Sequence, residues 1–317
     1  MENEVSGFSH LPVMLYECIE ALDIKPDGIY VDCTTGGAGH SSKIAERLEA
    51  GRGRLICLDR DEDAIKAASE RLAPYFDRVK IIRSNFSEVE EVLRSLGIEK
   101  IDGALIDLGA SSHQFDSPER GFSYRFSGRL DMRMDNRDKL TAYDVVNSFS
   151  YGEIKRILFE YGEERFAPKI ASEIIKEREI APIETTDKLV EIIRRAIPMA
   201  AQKDGHPAKK TFQALRICVN NELDIIEPTL RTLCRLLKKE GRLAVLTFHS
   251  LEDRIVKQTF TELSSGCTCP PSFPVCVCGK KPSVKMLGKK PELPSREELS
   301  VNTRSHSAKL RAVEKIR

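Results

Sequence analysis

A chain of 317 residues, 41% apolar, 31% charged and 6% aromatic, has material for one large α/β domain or for a domain carrying a smaller one, and is too apolar for wholesale disorder. Lys and Arg total 50 against 49 Asp and Glu, so the net charge of +1 confines any nucleic-acid surface to a local patch. No apolar run approaches the roughly 20 residues that span a bilayer, and the acidic start lacks the apolar core of a secretion signal, so no membrane partner and a cytoplasmic location are expected.

In chain order, Gly28–Cys33 reads as a short buried strand ending at a glycine-rich turn, and Ser41–Glu49 as a helix. Arg54–Asp59 is a second strand and Asp63–Leu72 an Ala-rich helix. Val79–Phe86 reads as a third strand and Ile101–Leu108 as a fourth. Strands with little polar alternation, separated by helices, predict a parallel sheet covered on both faces. The rhythm then breaks. Residues 114–135 are rich in Phe, Arg, Gly and Asp without a period, and Ala142–Pro198 is helical throughout. Glu222–Lys239 reads as a helix interrupted near Pro228, Gly241–Phe248 restores the buried strand, and Ser307–Ile316 offers a final one. A sheet that stops and resumes implies a helical insertion, placed at 114–212, within a discontinuous domain of residues 1–113 and 213–317. The stretch 280–317 holds eleven Lys or Arg against four Glu and reads as a basic docking tail.

The chemistry collects at the predicted strand ends. The turn Gly37, Ala38, Gly39, His40 follows the first strand and opens a helix, where glycines let the backbone approach a ligand at the carboxyl edge of a parallel sheet. Asp59 ends the second strand 20 residues past Gly39, with a carboxylate able to accept both hydrogen bonds of a ribose diol. A dinucleotide and S-adenosylmethionine (SAM) both suit such a pair. The dinucleotide fingerprint wants a third glycine where this chain runs Gly-Ala-Gly-His-Ser-Ser, which favours SAM. Phe86, closing the third strand, offers a ring to an adenine, although a Phe there is more often core. After the fourth strand, Asp107, Ser111, His113 and Gln114 crowd a carboxylate, a hydroxyl, an imidazole and an amide into eight residues. His249 follows the fifth strand, in a turn where Ser250 and Asp253 resemble a capping pair.

Two stretches read as RNA contacts. Between Glu119 and Asp135 aromatics interleave with arginines: Phe122, Tyr124 and Phe126 to stack an unpaired base, Arg120, Arg125 and Arg129 to meet phosphates. The bland alternative is a loop in which Asp131 and Asp135 neutralise Arg129 and Arg133. Lys209 and Lys210 read as a phosphate contact or a solvated charge run, and His10 and His206 stay undecided. Of nine cysteines, Cys18, Cys33, Cys57, Cys218 and Cys234 read as small buried hydrophobes. Cys267, Cys269, Cys276 and Cys278 form two C-x-C pairs six residues apart, a set that suits a structural zinc, with a reduced thiol loop as the alternative.

The motifs T-G-G-A-G-H, L-D-R-D, I-D-L-G-A-S-S, E-R-G-F-S, L-D-M-R-M-D, Y-G-E-E-R-F-A, T-F-Q-A-L-R-I-x-V-N-x-E-L, T-F-H-S-L-E-D-R-I-V-K and N-x-R-S-x-S-A-K-L-R occur in this order. Together they resemble the bacterial 16S rRNA (cytosine-N4-)-methyltransferases, the RsmH or MraW type, from about His10 to Arg311. The resemblance implies an α/β, class I SAM-dependent methyltransferase fold, Rossmann-like with a mainly parallel sheet, and an inserted helical domain for substrate recognition. It implies N4-methylation of one cytidine in the decoding centre of 16S rRNA, within the small ribosomal subunit. Cofactor contacts would fall at Gly37, Ala38, Gly39, His40, Asp59, Phe86, Asp107 and Gln114. Substrate contacts would fall at Phe122, Tyr124, Arg129, Lys209 and Lys210, with the target base unpaired or flipped out. Ala38 stands where many members have glycine or another small residue, and Phe126-Ser-Gly-Arg129 replaces the commoner acidic-Gly-Pro segment. Amino-methyltransferases commonly carry an acidic or Asn-Pro-Pro-aromatic segment after strand four, which this chain lacks. Asp107, Ser111, His113 and His249 are therefore candidate acceptors for the amine, with no single base chosen. A homodimer is compatible with the sequence. A noncatalytic SAM-binding rRNA assembly factor and a DNA or small-molecule amino-methyltransferase are the competing classes.

Overall fold

The computed structural model describes residues 12–202, 205–266, 269, 273, 275, 278–279 and 281–317. The chain divides into two compact units, Met1–Gly109 with Leu223–Arg317, and Ala110–Glu222.

In the first unit β1 (Ile29–Asp32), β2 (Arg54–Asp59), β3 (Val79–Arg83), β4 (Ile101–Asp107), β5 (Leu237–Thr247), β6 (Val284–Met286) and β7 (Lys309–Lys315) form one sheet, ordered β3-β2-β1-β4-β5-β7-β6. The first five run parallel, and β7 lies antiparallel between β5 and β6. Successive residues of the central strands feed two different cores. Val31, Ile56, Ile106 and Val245 join one cluster; Tyr30, Leu55, Leu105 and Leu246 join the other. The first cluster is closed by Val89 and Leu93 of α4 (Val89–Ser95) and by the helices Ile226–Leu236 and Ser250–Ser264. The second is closed by α1 (Leu15–Leu22), α2 (Gly39–Leu48) and α3 (Glu62–Arg71). Both faces of the central strands are covered, which is why the middles of β1, β2 and β4 are apolar without alternation; each buried Leu or Ile contributes about 1.5–3 kcal/mol.

The second unit begins with α5 (Ser112–Asp116) and has its own core, built on α6 (Ala142–Ser148), α7 (Tyr151–Glu160), α8 (Ala167–Arg178), α9 (Thr186–Ala196) and α10 (Lys209–Asn220). Capping boxes start α6 at Thr141 with Asp144 and α7 at Ser150 with Glu153. The chain then returns through α11 (Ile226–Leu236), α12 (Ser250–Ser264) and α13 (Arg296–Val301).

Several expectations shift. The helix expected over Glu222–Lys239 is α11, and Pro228 sits in its first turn, where its missing N–H has no helical acceptor to lose. Lys238 and Lys239, helical by propensity, instead start β5 on its exposed end, beside a register shift at Ile101 and Gly103. The third strand stops at Arg83 rather than Phe86, because Asn85 caps a short 3-10 turn, Phe86–Glu88. The basic stretch is not a tail. It supplies β6, α13 and β7; Lys309 and Arg311 pair with Asp253, Lys285 pairs with Glu314, and Lys315 donates to the Cys234 carbonyl.

Candidate active site

β1, β2 and β4 end at one edge of the sheet because they pair in parallel register, Asp32 lying beside Cys57 and Leu105. The chain leaving β1 stays stitched to both neighbours: Cys33 N–H donates to the Leu105 carbonyl at 2.9 Å and Thr35 N–H to that of Leu58 at 2.9 Å. Gly36 then turns with φ +50° and donates its N–H to Asp59 Oδ2 at 2.7 Å. Ala38, also left-handed at φ 60°, enters α2 with no side-chain cap, so among the described residues no side chain takes the first N–H groups of the helix. At Gly39 an added Cβ would stand 2.1 Å from Pro12 Cγ, so only glycine fits there. Asp59 accepts a second backbone bond, from Asp61 N–H at 2.9 Å, on Oδ1, which leaves each carboxylate oxygen a lone pair. Burial pushes its pKa up against those two hydrogen bonds.

The rest of the edge is acidic and short of cations. Asp32, 1% exposed, accepts from Ser41 Oγ at 2.6 Å and Thr34 N–H at 3.1 Å, and burial still raises it to about 6. Asp107 ends β4, with its own N–H donated to Thr34 Oγ1 at 2.6 Å. Its side chain is 28% exposed, yet Oδ1 is buried and has no hydrogen-bond partner among the described residues. Burial first, then the charges of Asp32 and Glu252, push its carboxyl up to about 8. The nearby His40 gives no relief. Its Nε2 lies 3.1 Å from the Val13 carbonyl, which can only accept, so Nδ1 carries the lone pair, 3.9 Å from Asp107 Oδ2. Burial holds His40 down at about 4, hence neutral.

On the adjoining strand, where Asp107 pairs with Leu246, β5 runs into α12 through His249. The capping pair is His249 with Glu252, not Ser250 with Asp253, which holds Arg311 instead. Glu252, 1% exposed, accepts from the N–H groups of Phe248 at 2.8 Å and His249 at 3.2 Å. His249 Nδ1 accepts from Glu252 N–H at 3.5 Å, so Nε2 carries the hydrogen. That Nε2 lies 3.1 Å from Glu252 Oε1 without hydrogen-bond alignment. Asp32 and Glu252 were not singled out from the sequence. An apolar strand closing on a carboxylate, the pattern that flags Asp59 and Asp107, also marks Asp32.

Phe86 is 9% exposed and packs in the first core cluster. Ser111, His113 and Gln114 belong to the second unit, where Ser111 and Gln114 close the capping box of α5 and His113 lies 3.5 Å from Ser117 Oγ. A stacking surface of Phe122 and Tyr124 is not formed. Phe122 is 3% exposed, edge-on to Phe115 and under Arg120, and Tyr124 is already stacked on His206 at 4.3 Å; Phe126 is the exposed ring. Arg129 is exposed and bridges to Thr185. Asp131 pairs with Arg133 and Asp135 with Arg137, which shifts the expected pairing along the chain. Lys209 and Lys210 are exposed in the first turn of α10, and Lys210 donates to the Glu163 carbonyl. Cys267, Cys276 and His10 lie outside the described residues, and among the described residues no His, Cys, Asp or Glu cluster could hold a metal. No helix of the described residues is long and apolar enough to cross a membrane.

Five parallel strands, an antiparallel seventh strand set between the fifth and sixth, and acidic ends on β1, β2 and β4 around a glycine turn define a class I SAM-dependent methyltransferase. The MraW methylase family model matches residues 7–316, and the chain belongs to that family. Among curated relatives, a Brevibacillus brevis protein is 52% identical over 98% of this chain and 99% of its own length. One from Clostridium botulinum is 53% identical over 98% and 99%, and one from Heliobacterium modesticaldum 54% over 98% and 99%. All three are named ribosomal RNA small subunit methyltransferase H.

Proposed function

We propose that the chain methylates the N4 amine of one cytidine in the decoding centre of 16S rRNA, in the small ribosomal subunit of the bacterial cytoplasm, with Asp107 accepting the amine proton. The rRNA of the small subunit comes from the names of relatives more than 50% identical over nearly the whole chain. The observation that carries the site is the buried Oδ1 of Asp107, which has no hydrogen-bond partner among the described residues.

The edge suits SAM, whose bound form supplies a methyl group on a sulfonium. The Gly36–Gly39 turn has open space at Gly36, the α2 N-terminus offers N–H groups, and Asp59 keeps lone pairs for a ribose diol. Phe86 and Gln114 complete the proposed cofactor set. The cytosine amine is a weak nucleophile because its lone pair is delocalised into the ring. Asp107 accepts a hydrogen bond from that amine, which draws electron density back to nitrogen. As the new N–C bond forms and the S–C bond breaks, the proton released from nitrogen passes to Asp107. A carboxyl near 8 is matched to that transfer at neutral pH. His249 Nε2–H is left to donate to an acceptor on the base, and Ser111 and His113 remain candidate positioning groups.

Labelled SAM incubated with small subunits from cells lacking this gene tests the reading. Label in N4-methylcytidine is expected. SAM binding without label in any nucleoside would leave an assembly factor, and label in duplex DNA or free cytidine a different amino-methyltransferase. A zinc ion on Cys267, Cys269, Cys276 and Cys278 would be structural, since four protein thiolates leave no open position; a metal-to-protein ratio near zero in chelator-free protein removes it.

A further inference from the structure

Among the described residues, the ring of His206 in the second unit finds no acceptor for its N–H. Ala208 N–H donates to its Nδ1 at 3.3 Å, which puts the hydrogen on Nε2, yet Arg194 Nη2 lies 3.3 Å from that same Nε2. In the other tautomer the Nδ1 hydrogen would face the Ala208 N–H. Whichever tautomer forms, one N–H group is left facing another donor. Burial, then the charges of Arg194 and Arg125, hold His206 below the ordinary histidine range, so a proton does not relieve the conflict.

The surroundings are cationic. Arg125 and Arg194, whose charges act on the ring, are exposed, and neither has a carboxylate partner in an ion pair among the described residues. Arg195, next to Arg194 in the last turn of α9, shows the contrast, because it pairs with Glu177. The ring is also held rigidly: Tyr124 stacks on it at 4.3 Å and 11°, and Phe212 braces Tyr124 edge-on at 5.7 Å. His206 precedes α10, a helix of 12 residues entered at Ala208 with no side-chain cap. Water can fill one missing acceptor, but two arginines that no described carboxylate pairs favour an anionic oxygen.

We propose that Arg194 and the Nε2–H of His206, with Arg125 beside them, form a phosphate-binding site for the backbone of single-stranded RNA. The Tyr124–His206 stack therefore acts as a fixed support for a backbone contact. The site rests on the RNA substrate proposed above and deepens it, by naming where the second unit grips that substrate.

The test is the KM for unmethylated small subunits, measured at about 50 and about 200 mM salt, for the wild type, R194Q, and R125Q with R194Q. Both arginines are exposed, so the fold should persist, and unchanged SAM affinity verifies it. We expect the double variant to raise KM about tenfold at low salt with kcat little changed. Its salt slope should fall by about 0.7 for each charge removed. H206N, whose amide oxygen can still accept from Ala208 N–H, should raise KM by a smaller factor. K155Q, exposed on α7, is the control and should match the wild type. Variants with wild-type KM and salt slope, beside a wild type that methylates small subunits, overturn this site alone. A wild type that neither binds nor methylates small subunits overturns the site and the functional reading together.

Discussion

In the second unit Asp131 meets Arg133 through Nε at 2.9 Å and Nη2 at 2.7 Å, a two-pronged pair. At the sheet edge of the first unit Asp107 meets no cation among the described residues, and one of its oxygens meets nothing. Burial raises both carboxyls. For Asp131 the hydrogen bonds and charge of Arg133 overcome it and hold the group below the ordinary range, whereas for Asp107 the neighbouring charges are negative and add to it. The same residue type thus serves two ends. A carboxylate satisfied within the fold fixes a loop, and one left unsatisfied is available to a substrate.

The largest expected effect breaks this comparison at Asp107. D107N keeps the shape and removes the base, so methyl transfer to small subunits should fall by about 10²–10³-fold. Stability should move the other way. A carboxyl raised to about 8 in the folded chain makes a contribution that is full below the ordinary value of about 4 and lost as pH rises through 8. Above pH 8 D107N should therefore melt at a higher temperature than the wild type. A variant with wild-type turnover, or one less stable at alkaline pH, would remove Asp107 from the proposed role.

D59A comes next. It takes an acceptor from Gly36 N–H and Asp61 N–H and from the proposed ribose diol, so SAM affinity should drop about 10–100-fold by calorimetry. Turnover at saturating SAM should change less. An unchanged dissociation constant would move the ribose elsewhere.

R133A tests the satisfied partner. It removes both bonds to Asp131 and those to the Asn136 and Asp138 carbonyls, and should cost about 1–3 kcal/mol in denaturant unfolding. Because the Asp131 pKa is depressed, this contribution is present above the ordinary carboxylate range and lost as pH falls through the lowered value. The R133A deficit should therefore shrink in acid; a deficit that grows there would contradict the pairing.

How much of this the sequence carried follows from range. The central strands were legible because helices cover both faces, so their apolar runs contrast with everything around them. Asp59 and Asp107 were legible as strand ends, and the glycine turn as a ligand approach. What escaped depends on partners distant in sequence. Nothing local tells that Arg311 would neutralise Asp253, 58 residues away, and so turn part of a basic tail into a strand inside the sheet. Nothing local shows that His206 covers Tyr124, which on sequence alone is a free aromatic between arginines. β6 has three residues, too few for any period to register. Glu252 was hidden because histidine is an unusual N-cap, and Ser250 offered a more familiar one.

The smallest effect sharpens the cause of the Asp107 shift. Glu252 raises Asp107 less than burial and Asp32 do, and it sits beneath two backbone N–H groups that a glutamine oxygen can also satisfy. E252Q should therefore keep most of the α12 cap while removing one negative charge facing Asp107. The readout is the pH dependence of kcat/KM for SAM, which reports the enzyme before the cofactor binds. Activity should rise with pH as Asp107 ionises, and in E252Q that rise should move to lower pH by less than about one unit. Burial, the larger cause, stays in place, so the midpoint should remain well above the ordinary carboxylate range. A midpoint that does not move would assign the shift to burial and Asp32 alone, and one that moves upward would show that Asp107 is not the group being titrated.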